Sequence, residues 1–176
     1  ELTKMADPCS EIITSEDLWD SLTDHLLDWD VKCIVMSAAI CDYNAEVGNV
    51  HSGAHADRLS SAESIDIHCT PADKLISHIK QLRPDIYVVG FKTTTNASIQ
   101  EMEDKARKQI DAGISDVVLA NDTVTRNNMI VTKTRQVNSD VRNRIVATLA
   151  EMIDDKVQYA HIREVNFSGR VLRNAN

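Results

Sequence analysis

The residues from 86 to 122 read IYVVGFKTTTNASIQEMEDKARKQIDAGISDVVLAND, and this stretch decides the fold. It begins with an apolar strand pattern at 86–91, passes through a polar turn into a helical pattern at about 98–111, and ends with a second apolar strand pattern at 117–120. Uninterrupted apolar strands separated by a helix are typical of a parallel sheet whose strands are buried on both faces. We therefore predict a strand–helix–strand unit in the middle of the chain.

The same alternation continues on the N-terminal side of this unit. The run VKCIVMSAAI at 31–40 predicts another strand buried on both faces, preceded by a helix that Ser15 caps. Thr70 and Pro71 are expected to open a further helix, with Pro71 at its first position. Repeated units of this kind predict an α/β protein with a Rossmann-like three-layer fold, in which a mostly parallel sheet has helices on both faces.

The C-terminal side predicts one more strand at 128–133 and a last helix that Asn138 or Ser139 caps and that ends near Asp154. We expect residues 1–156 to form one domain and residues 157–176 to be a C-terminal extension. The polar segment at 44–64 is expected to be a lid loop, because long loops in compact domains are usually functional or disordered.

Length and charge exclude several classes of protein. The 176 residues suit one domain, at roughly 150 residues per domain. The net charge of −8 argues against nucleic-acid binding, which needs a positive face. The longest apolar run, at 33–41, is far shorter than the ~20 residues that cross a membrane. Four cysteines without a CxxC spacing are typical of reduced thiols, and we therefore expect a cytoplasmic protein.

Glycine is scarce, with five residues in the chain, and none of them forms GxGxxG or GxxxxGK[ST]. These are the best-known loops that cradle phosphates with backbone N–H groups. Their absence counts against a dehydrogenase of the usual dinucleotide-binding type. A nucleotide would have to bind this chain in another way, unless such a loop lies outside the chain shown.

Polar and aromatic residues follow the predicted strands at the edge where open α/β sheets bind ligands. Asp42 follows the strand at 31–40, and its carboxylate could bind a magnesium ion or a ribose hydroxyl. The alternative is that the Asp42 side chain only hydrogen-bonds to the backbone of its own turn. Asn121 and Asp122 follow the strand at 117–120, and Phe91 ends the strand at 86–91 with a ring that can stack on a base.

A basic cluster of Lys105, Arg107 and Lys108 lies on the predicted helix of this acidic protein. Such a cluster can receive a triphosphate. The alternative is a solvated helix face, because Glu101 and Asp104 stand four residues before Lys105 and Lys108.

Taken together, five segments resemble the phosphopantothenoylcysteine synthetase family, and the stand-alone enzymes more than the bifunctional ones. They occur in the family's order and at its spacing: SAAICDYNAE (37–46), RLSS (58–61), TPADKLI (70–76), YVVGFKTTTN (87–96) and ARKQIDAGISDVVLAND (106–122). The resemblance implies a ligase of coenzyme A biosynthesis that joins cysteine to 4'-phosphopantothenate through an acyl-nucleotidyl intermediate. It also implies CTP or ATP as co-substrate, Mg²⁺, and a homodimer.

The resemblance assigns roles to individual residues. Arg58 stands in place of the family's lid lysine and is expected to be catalytic, and Asp42 is expected to hold the metal ion. The expected nucleotide contacts are Ala38, Ala39, Asp42, Phe91, Lys108, Asn121 and Asp122.

The chain also departs from the family pattern. An arginine replaces the lid lysine at Arg58, and a further family lysine falls near Ala112. Residues 1–11 do not match the family's first strand–helix unit, with its glycine-rich turn and catalytic asparagine, so we expect that unit to lie outside the chain shown. These departures leave a second reading open, in which the chain is a non-catalytic homologue that acts as a nucleotide-binding or assembly module.

Overall fold

The computed structural model describes residues 12, 14–48, 50–51 and 64–173. In chain order the elements are α1 (Ser15–Leu27), β1 (Cys33–Val35), β2 (Tyr43–Val47), β3 (Val50–His51), β4 (His68–Pro71), α2 (Ile76–Leu82), β5 (Tyr87–Thr94), α3 (Ile99–Asp111), β6 (Val117–Asp122), β7 (Asn128–Thr132), β8 (Gln136–Ser139) and α4 (Arg142–Arg173). They fall into two compact units, the first comprising Glu1–Asp28 with Ala38–Leu75 and the second Trp29–Ser37 with Ile76–Asn176. This division differs from the predicted boundary between residues 156 and 157.

The first unit contains α1 and an antiparallel three-stranded sheet in the order β3-β2-β4. Thr14 caps α1, one residue before the predicted cap: its hydroxyl accepts from Asp17 N at 3.2 Å while the Asp17 carboxylate accepts from Thr14 N at 2.7 Å. The predicted lid at 44–64 begins within β2 and β3, and its residues 52–63, including Arg58, lie outside the described residues.

The prediction that a helix begins at Thr70 is wrong. Thr70 and Pro71 belong to β4 and pair with Asn44 and Tyr43 of β2, and α2 begins only at Ile76. Pro71 lacks a backbone N–H, so the outer strand of the sheet is where it costs least. Strand pairing therefore prevails here over a local sequence that suits a helix start.

The second unit contains a five-stranded sheet in the order β1-β5-β6-β7-β8. Strands β1, β5 and β6 are parallel, and β7 and β8 are antiparallel additions at one side. Helix α3 packs on one face through Met102, Ala106 and Ile110, and α4 packs on the other through Ile145 and Leu149. The predicted α/β class with helices on both faces of the sheet is confirmed.

Three boundaries in this unit differ from the prediction. Only Cys33–Val35 of the apolar run at 31–40 pairs as a strand, at one side of the sheet. Asn138 and Ser139 belong to β8 rather than to a helix cap. Helix α4 continues through Asp154 to Arg173, beyond the predicted end of this helix near Asp154. None of the helices in the described ranges is long and apolar enough to cross a membrane.

Gly90 permits the close packing of α3 on β5. A Cβ atom at this position would collide with Gln109 Nε2 and lie 2.7 Å from Ser115 Oγ. Those two side chains hydrogen-bond to each other at 2.8 Å. Both obstacles are the ends of side chains that can move, so Gly90→Ala should lower the free energy of unfolding by about 1 kcal/mol, the usual net value of the hydrogen bond that this movement breaks. Urea denaturation measures this change.

The double variant Gly90→Ala/Gln109→Ala provides the control. Truncating Gln109 removes the nearest obstacle, so Gly90→Ala should cost less in that background than in the wild-type protein. An equal cost in both backgrounds would show that contact with Gln109 is not the source of the penalty.

Candidate functional site

A row of polar side chains crosses the sheet of the second unit where β5 and β6 end. The pairing registers align Thr93 with Asn121, Asn121 with Asn128, and Asn128 with Ser139. Directly paired residues point to the same face of a sheet, so all four side chains lie on one face. We call these four residues the polar row.

An apolar row stands two residues further into the same strands: Phe91, Leu119, Ile130 and Val137. Leu119 and Ile130 belong to the core cluster that includes Ile145 and Leu149 of α4, and Phe91 and Val137 pack against that cluster. The polar row therefore begins where the apolar core under α4 ends. It forms the polar border of a hydrophobic layer at the carboxyl ends of the parallel strands.

Asn121 and Phe91, two of the predicted nucleotide contacts, lie on this face. Thr93 Oγ1 donates to Asn121 Oδ1 at 3.1 Å, and this contact fixes the position of the amide. Phe91 is partly exposed, so its ring is not wholly covered by the core. The structure thus brings these two predicted residues together on neighbouring strands.

Asp122 points to the opposite face, is 2% exposed, and forms six hydrogen bonds. Oδ2 accepts from Thr94 Oγ1 at 2.8 Å and from Ala97 N at 2.9 Å. Oδ1 accepts from Asn96 N at 3.1 Å and Val124 N at 3.0 Å, and from both N and Oγ1 of Thr125 at 2.8 and 3.1 Å. The carboxylate therefore joins the end of β5, the start of α3 and the turn after β6.

These hydrogen bonds control the ionisation of Asp122. Burial by itself raises the pKa of this carboxyl, but the backbone N–H groups of Ala97, Thr125 and Val124 and the Thr94 hydroxyl together hold the pKa well below its usual range. Hydrogen bonds to the ionised form outweigh desolvation when several donors converge on one carboxylate. Asp122 is thus ionised whenever the fold is intact at ordinary pH.

The turns beside Asp122 hold two residues in left-handed backbone conformations. Asn96 has φ of 53° and Arg126 has φ of 61°. The N–H of Asn96 donates to Asp122 Oδ1, and the carbonyl of Arg126 accepts from Asn128 Nδ2 at 2.8 Å. Non-glycine residues adopt this region only when their surroundings over-determine it, and such residues concentrate at functional sites.

Three predicted contacts, Ala38, Ala39 and Asp42, lie in the first unit. All three are exposed. The Asp42 carbonyl accepts from Ala72 N at 2.9 Å, and its carboxylate lies 3.8 Å from Lys74 Nζ with both side chains largely in solvent. Such an exposed pair contributes little to stability, so the carboxylate remains accessible to a ligand.

The described residues contain no group of three or more histidine, cysteine, aspartate or glutamate side chains that could hold a metal ion by themselves. Asp42 nevertheless suits the ion that the sequence predicts. Mg²⁺ is commonly bound through one or two carboxylates together with substrate phosphates, and not by a cage of protein ligands alone.

Lys108 lies at the other end of the sheet from the polar row. Helix α3 starts beside Asp122, and Lys108 is nine residues after Ile99, which at about 1.5 Å per residue is about 13 Å along the helix. Its neighbour Arg107 donates to Glu103 Oε1 at 2.6 Å and to the carbonyl of Thr132, where β7 ends, at 3.4 Å. Arg107 is therefore paired with Glu103, as in the alternative that the sequence left open, but the pair is partly buried and not fully solvated.

Sequence reasoning did not find Thr93, Asn128 and Ser139. Each is a common polar residue in an unremarkable local context, and only the pairing registers of four strands bring them into line with Asn121. The nearest signal in the sequence was the polar segment that follows each apolar strand.

The profile of the DNA/pantothenate metabolism flavoprotein C-terminal domain matches residues 4–165. The chain belongs to this family. It is also 30% identical over 112 residues to the coenzyme A biosynthesis bifunctional protein CoaBC of Thermococcus kodakarensis, a match that covers 63% of this chain. That match spans 26% of the archaeal protein, so this family domain corresponds to about a quarter of its length.

Solved structures support the same fold for this family member. The DNA/pantothenate metabolism flavoprotein from Streptococcus pneumoniae superposes with a TM-score of 0.67 at 22% identity, covering 82% of this chain and 71% of that one. The C-terminal domain of a CoaBC protein superposes with a TM-score of 0.53 at 16% identity, covering 80% of this chain and 63% of that one. Both show that the Rossmann-like arrangement of this chain is that of known structures.

Asp122→Asn should destabilise the fold strongly. Both carboxylate oxygens accept from backbone N–H groups, so either orientation of an asparagine amide turns its NH₂ group against a donor. We expect a clear fall in the urea midpoint at pH 7. The control is Asp111→Asn, which changes an exposed carboxylate at the end of α3 and should leave the midpoint nearly unchanged.

The same pair of variants gives a pH dependence. The pKa of Asp122 is lower in the folded state than the usual aspartate value of about 4, so its contribution to stability is complete above pH ~4 and is lost as the pH falls below that value. Stability between pH 2 and 6 should therefore fall less steeply in Asp122→Asn than in Asp111→Asn. Parallel profiles would contradict this assignment.

Proposed function

We propose that this chain takes part in joining cysteine to 4'-phosphopantothenate, with CTP or ATP as co-substrate, in coenzyme A biosynthesis. Membership of the family over residues 4–165 carries this proposal. It is supported by the similarity to the coenzyme A biosynthesis protein CoaBC and by the five motif segments of the sequence. The comparisons do not favour the alternative of a non-catalytic module.

In the second unit, we propose that the polar row and Phe91 contact the nucleotide. Asn121 supplies an amide that Thr93 holds in place, and the partly exposed Phe91 ring supplies a face on which a base can stack. Asp122 acts indirectly, because its oxygens are occupied by the six hydrogen bonds of its own turns. It positions Asn121, the residue before it.

The phosphate contact that we propose for Lys108 rests on the family resemblance alone. Lys108 lies about 13 Å along α3 from the edge that carries the polar row. Arg126 and the first residues of α4, Arg142 and Arg144, are exposed cations whose elements start or turn at that edge. They are better placed than Lys108 to offset phosphate charge beside Asn121.

In the first unit, we propose that the exposed Ala38 and Ala39 contact the nucleotide and that Asp42 holds its magnesium ion. Mg²⁺ bound to a triphosphate neutralises charge that develops on the leaving pyrophosphate. Arg58 remains the predicted catalytic residue, and its guanidinium keeps the positive charge of a lysine with a planar, forked geometry.

The proposed chemistry has two steps. The phosphopantothenate carboxylate attacks the α-phosphorus of the nucleotide, which forms an acyl-nucleotidyl ester and breaks the bond to pyrophosphate. The amine of cysteine then attacks the acyl carbon, loses a proton, and releases the nucleoside monophosphate as the amide forms. Activation of this kind replaces a poor leaving group with a good one, and fixed cations stabilise the charge that develops.

We further propose that the protein is cytoplasmic and acts as a homodimer. Of the cysteines that the structure describes, Cys33, Cys41 and Cys69 are free thiols, as expected in a reducing compartment. Burial, with a smaller contribution from Asp116, raises the pKa of Cys33 to about 11, so this thiol is protonated at neutral pH. The homodimer follows from the family resemblance alone.

Nucleotide binding has a direct test. Isothermal titration of the folded protein with CTP and with ATP, each with Mg²⁺, should give binding for at least one of them. Asn121→Ala should weaken the affinity about tenfold or more, roughly 1.4 kcal/mol. The matched control is Asn138→Ala, an exposed asparagine of β8 that pairs with Met129 and therefore faces away from the polar row. Equal effects of the two variants would remove Asn121 from the nucleotide site.

Catalysis has a separate test. The longest natural chain that contains these residues should release pyrophosphate only when phosphopantothenate and a nucleoside triphosphate with Mg²⁺ are both present, and it should form the cysteine amide when cysteine is added. Asp42→Asn should lower kcat/KM at least tenfold if its carboxylate holds the metal ion.

Asp24→Asn serves as the control for Asp42→Asn, since it removes an exposed carboxylate of α1 in the same unit. It should leave kcat/KM unchanged. Nucleotide binding without any pyrophosphate release or amide formation would overturn the ligase and return the chain to the class of binding modules.

A further inference from the structure

A cavity of about 390 Å³ lies at the edge of the second unit opposite the polar row. Its lining includes Tyr87, the first residue of β5, and Asp116, the residue before β6, with Thr132 at the end of the antiparallel β7. Tyr87 of the cavity and Thr93 of the polar row are six residues apart in β5, which at about 3.3 Å per residue is about 20 Å along the strand. The cavity is therefore distinct from the proposed nucleotide site.

Three cationic side chains line this cavity: Lys133 and Arg135 from the turn between β7 and β8, and Lys156 from α4. Within the part of the chain that the structure describes, none of the three has a carboxylate oxygen within 4.0 Å. Unpaired cations converging on one concave surface create a positive local potential, which is notable in a protein of net charge −8.

Two carboxylates also line the cavity, but only one is uncompensated. Asp116 lies 2.7 Å from Lys80 Nζ and accepts from the backbone N–H of Val88 at 2.8 Å, so its charge is already balanced. Asp155 is left to oppose the three cations. The balance of charge in the cavity therefore favours an anion.

The remaining walls are partly apolar. Tyr87 is half-buried and Met152 is partly buried, and both pack against the core cluster beneath α4. Burial, and then the charge of Asp116, raises the pKa of Tyr87 to about 12, so its hydroxyl is a neutral donor at physiological pH. The cavity thus combines cations and a hydroxyl donor with an aromatic ring and a thioether.

We propose that this cavity is a second binding site, which takes a small molecule carrying a phosphate group and an apolar part. The volume falls within the usual range for small-molecule sites of about 300–1,000 Å³. Arg135 and the two lysines bind the phosphate, since a guanidinium matches phosphate oxygens in a bidentate manner. The apolar part packs against Tyr87 and Met152. This site is independent of the ligase activity.

Methyl NMR of protein labelled with ¹³C-methyl methionine tests this site with inorganic phosphate and with phenyl phosphate as the added compounds. The Met152 signal should shift on titration, whereas the signals of Met36, which follows β1 at the other edge, and of Met102, a buried residue of α3, should not. Phenyl phosphate should bind about tenfold more tightly than phosphate, because its ring adds apolar contact.

The double variant Lys133→Gln/Arg135→Gln should weaken phenyl phosphate binding at least tenfold. Lys156→Gln, which leaves the turn between β7 and β8 unchanged, should also weaken binding. Lys105→Gln removes a charge from the exposed face of α3 and should change nothing. The proposal fails if Met152 does not shift, if the double variant binds like the wild type, or if Lys105→Gln weakens binding as much as Lys156→Gln.

Discussion

The buried carboxylate of Asp122 is the interaction on which the ligand-binding edge of the second unit depends. Six donors from three segments converge on it, and four of them are backbone N–H groups. Because neighbouring residues of a strand point to opposite faces, the same strand end uses Asp122 for structure and presents Asn121 on the other side. The AND segment therefore divides its two tasks between two adjacent residues.

The fold was predictable where local pattern and tertiary packing agree. Strands β5 and β6 begin with continuous apolar runs, and α3 begins at a capping box formed by Ser98 and Glu101. The local sequence therefore predicts each of these three elements. The prediction failed where pairing overrides the local pattern. Thr70 and Pro71 suit a helix start but lie in β4, and the polar residues Gln136–Ser139 form β8 because β7 beside them offers a partner.

The candidate site was predictable only in part, for the same reason. Phe91 and Asn121 stand out because they end apolar strands, and the structure confirms that they lie on adjoining strands. Asn128 and Ser139 join them through the registers of antiparallel pairs, which no local sequence feature specifies. The basic cluster on α3 drew attention by its composition, yet Arg107 pairs with Glu103 and with a carbonyl at the other edge of the sheet. Charge in a sequence shows that a cation exists, but position in the fold decides what it can reach.

The two antiparallel strands at the side of the sheet have an electrostatic consequence. Two reversals of direction, through β7 and then β8, make β8 parallel to β6, so α4 starts at the same edge as α3. Each helix carries a partial positive charge of roughly half an elementary charge at its N-terminus. Both helix dipoles therefore point their positive ends toward the edge that carries the polar row, one on each face of the sheet. At the start of α3 the carboxylates of Asp122 and Glu101 already occupy this positive end, whereas the first turn of α4 contains no acidic residue. The start of α4, on the face that carries the polar row, is therefore where the backbone attracts an anion, although the protein carries a net charge of −8.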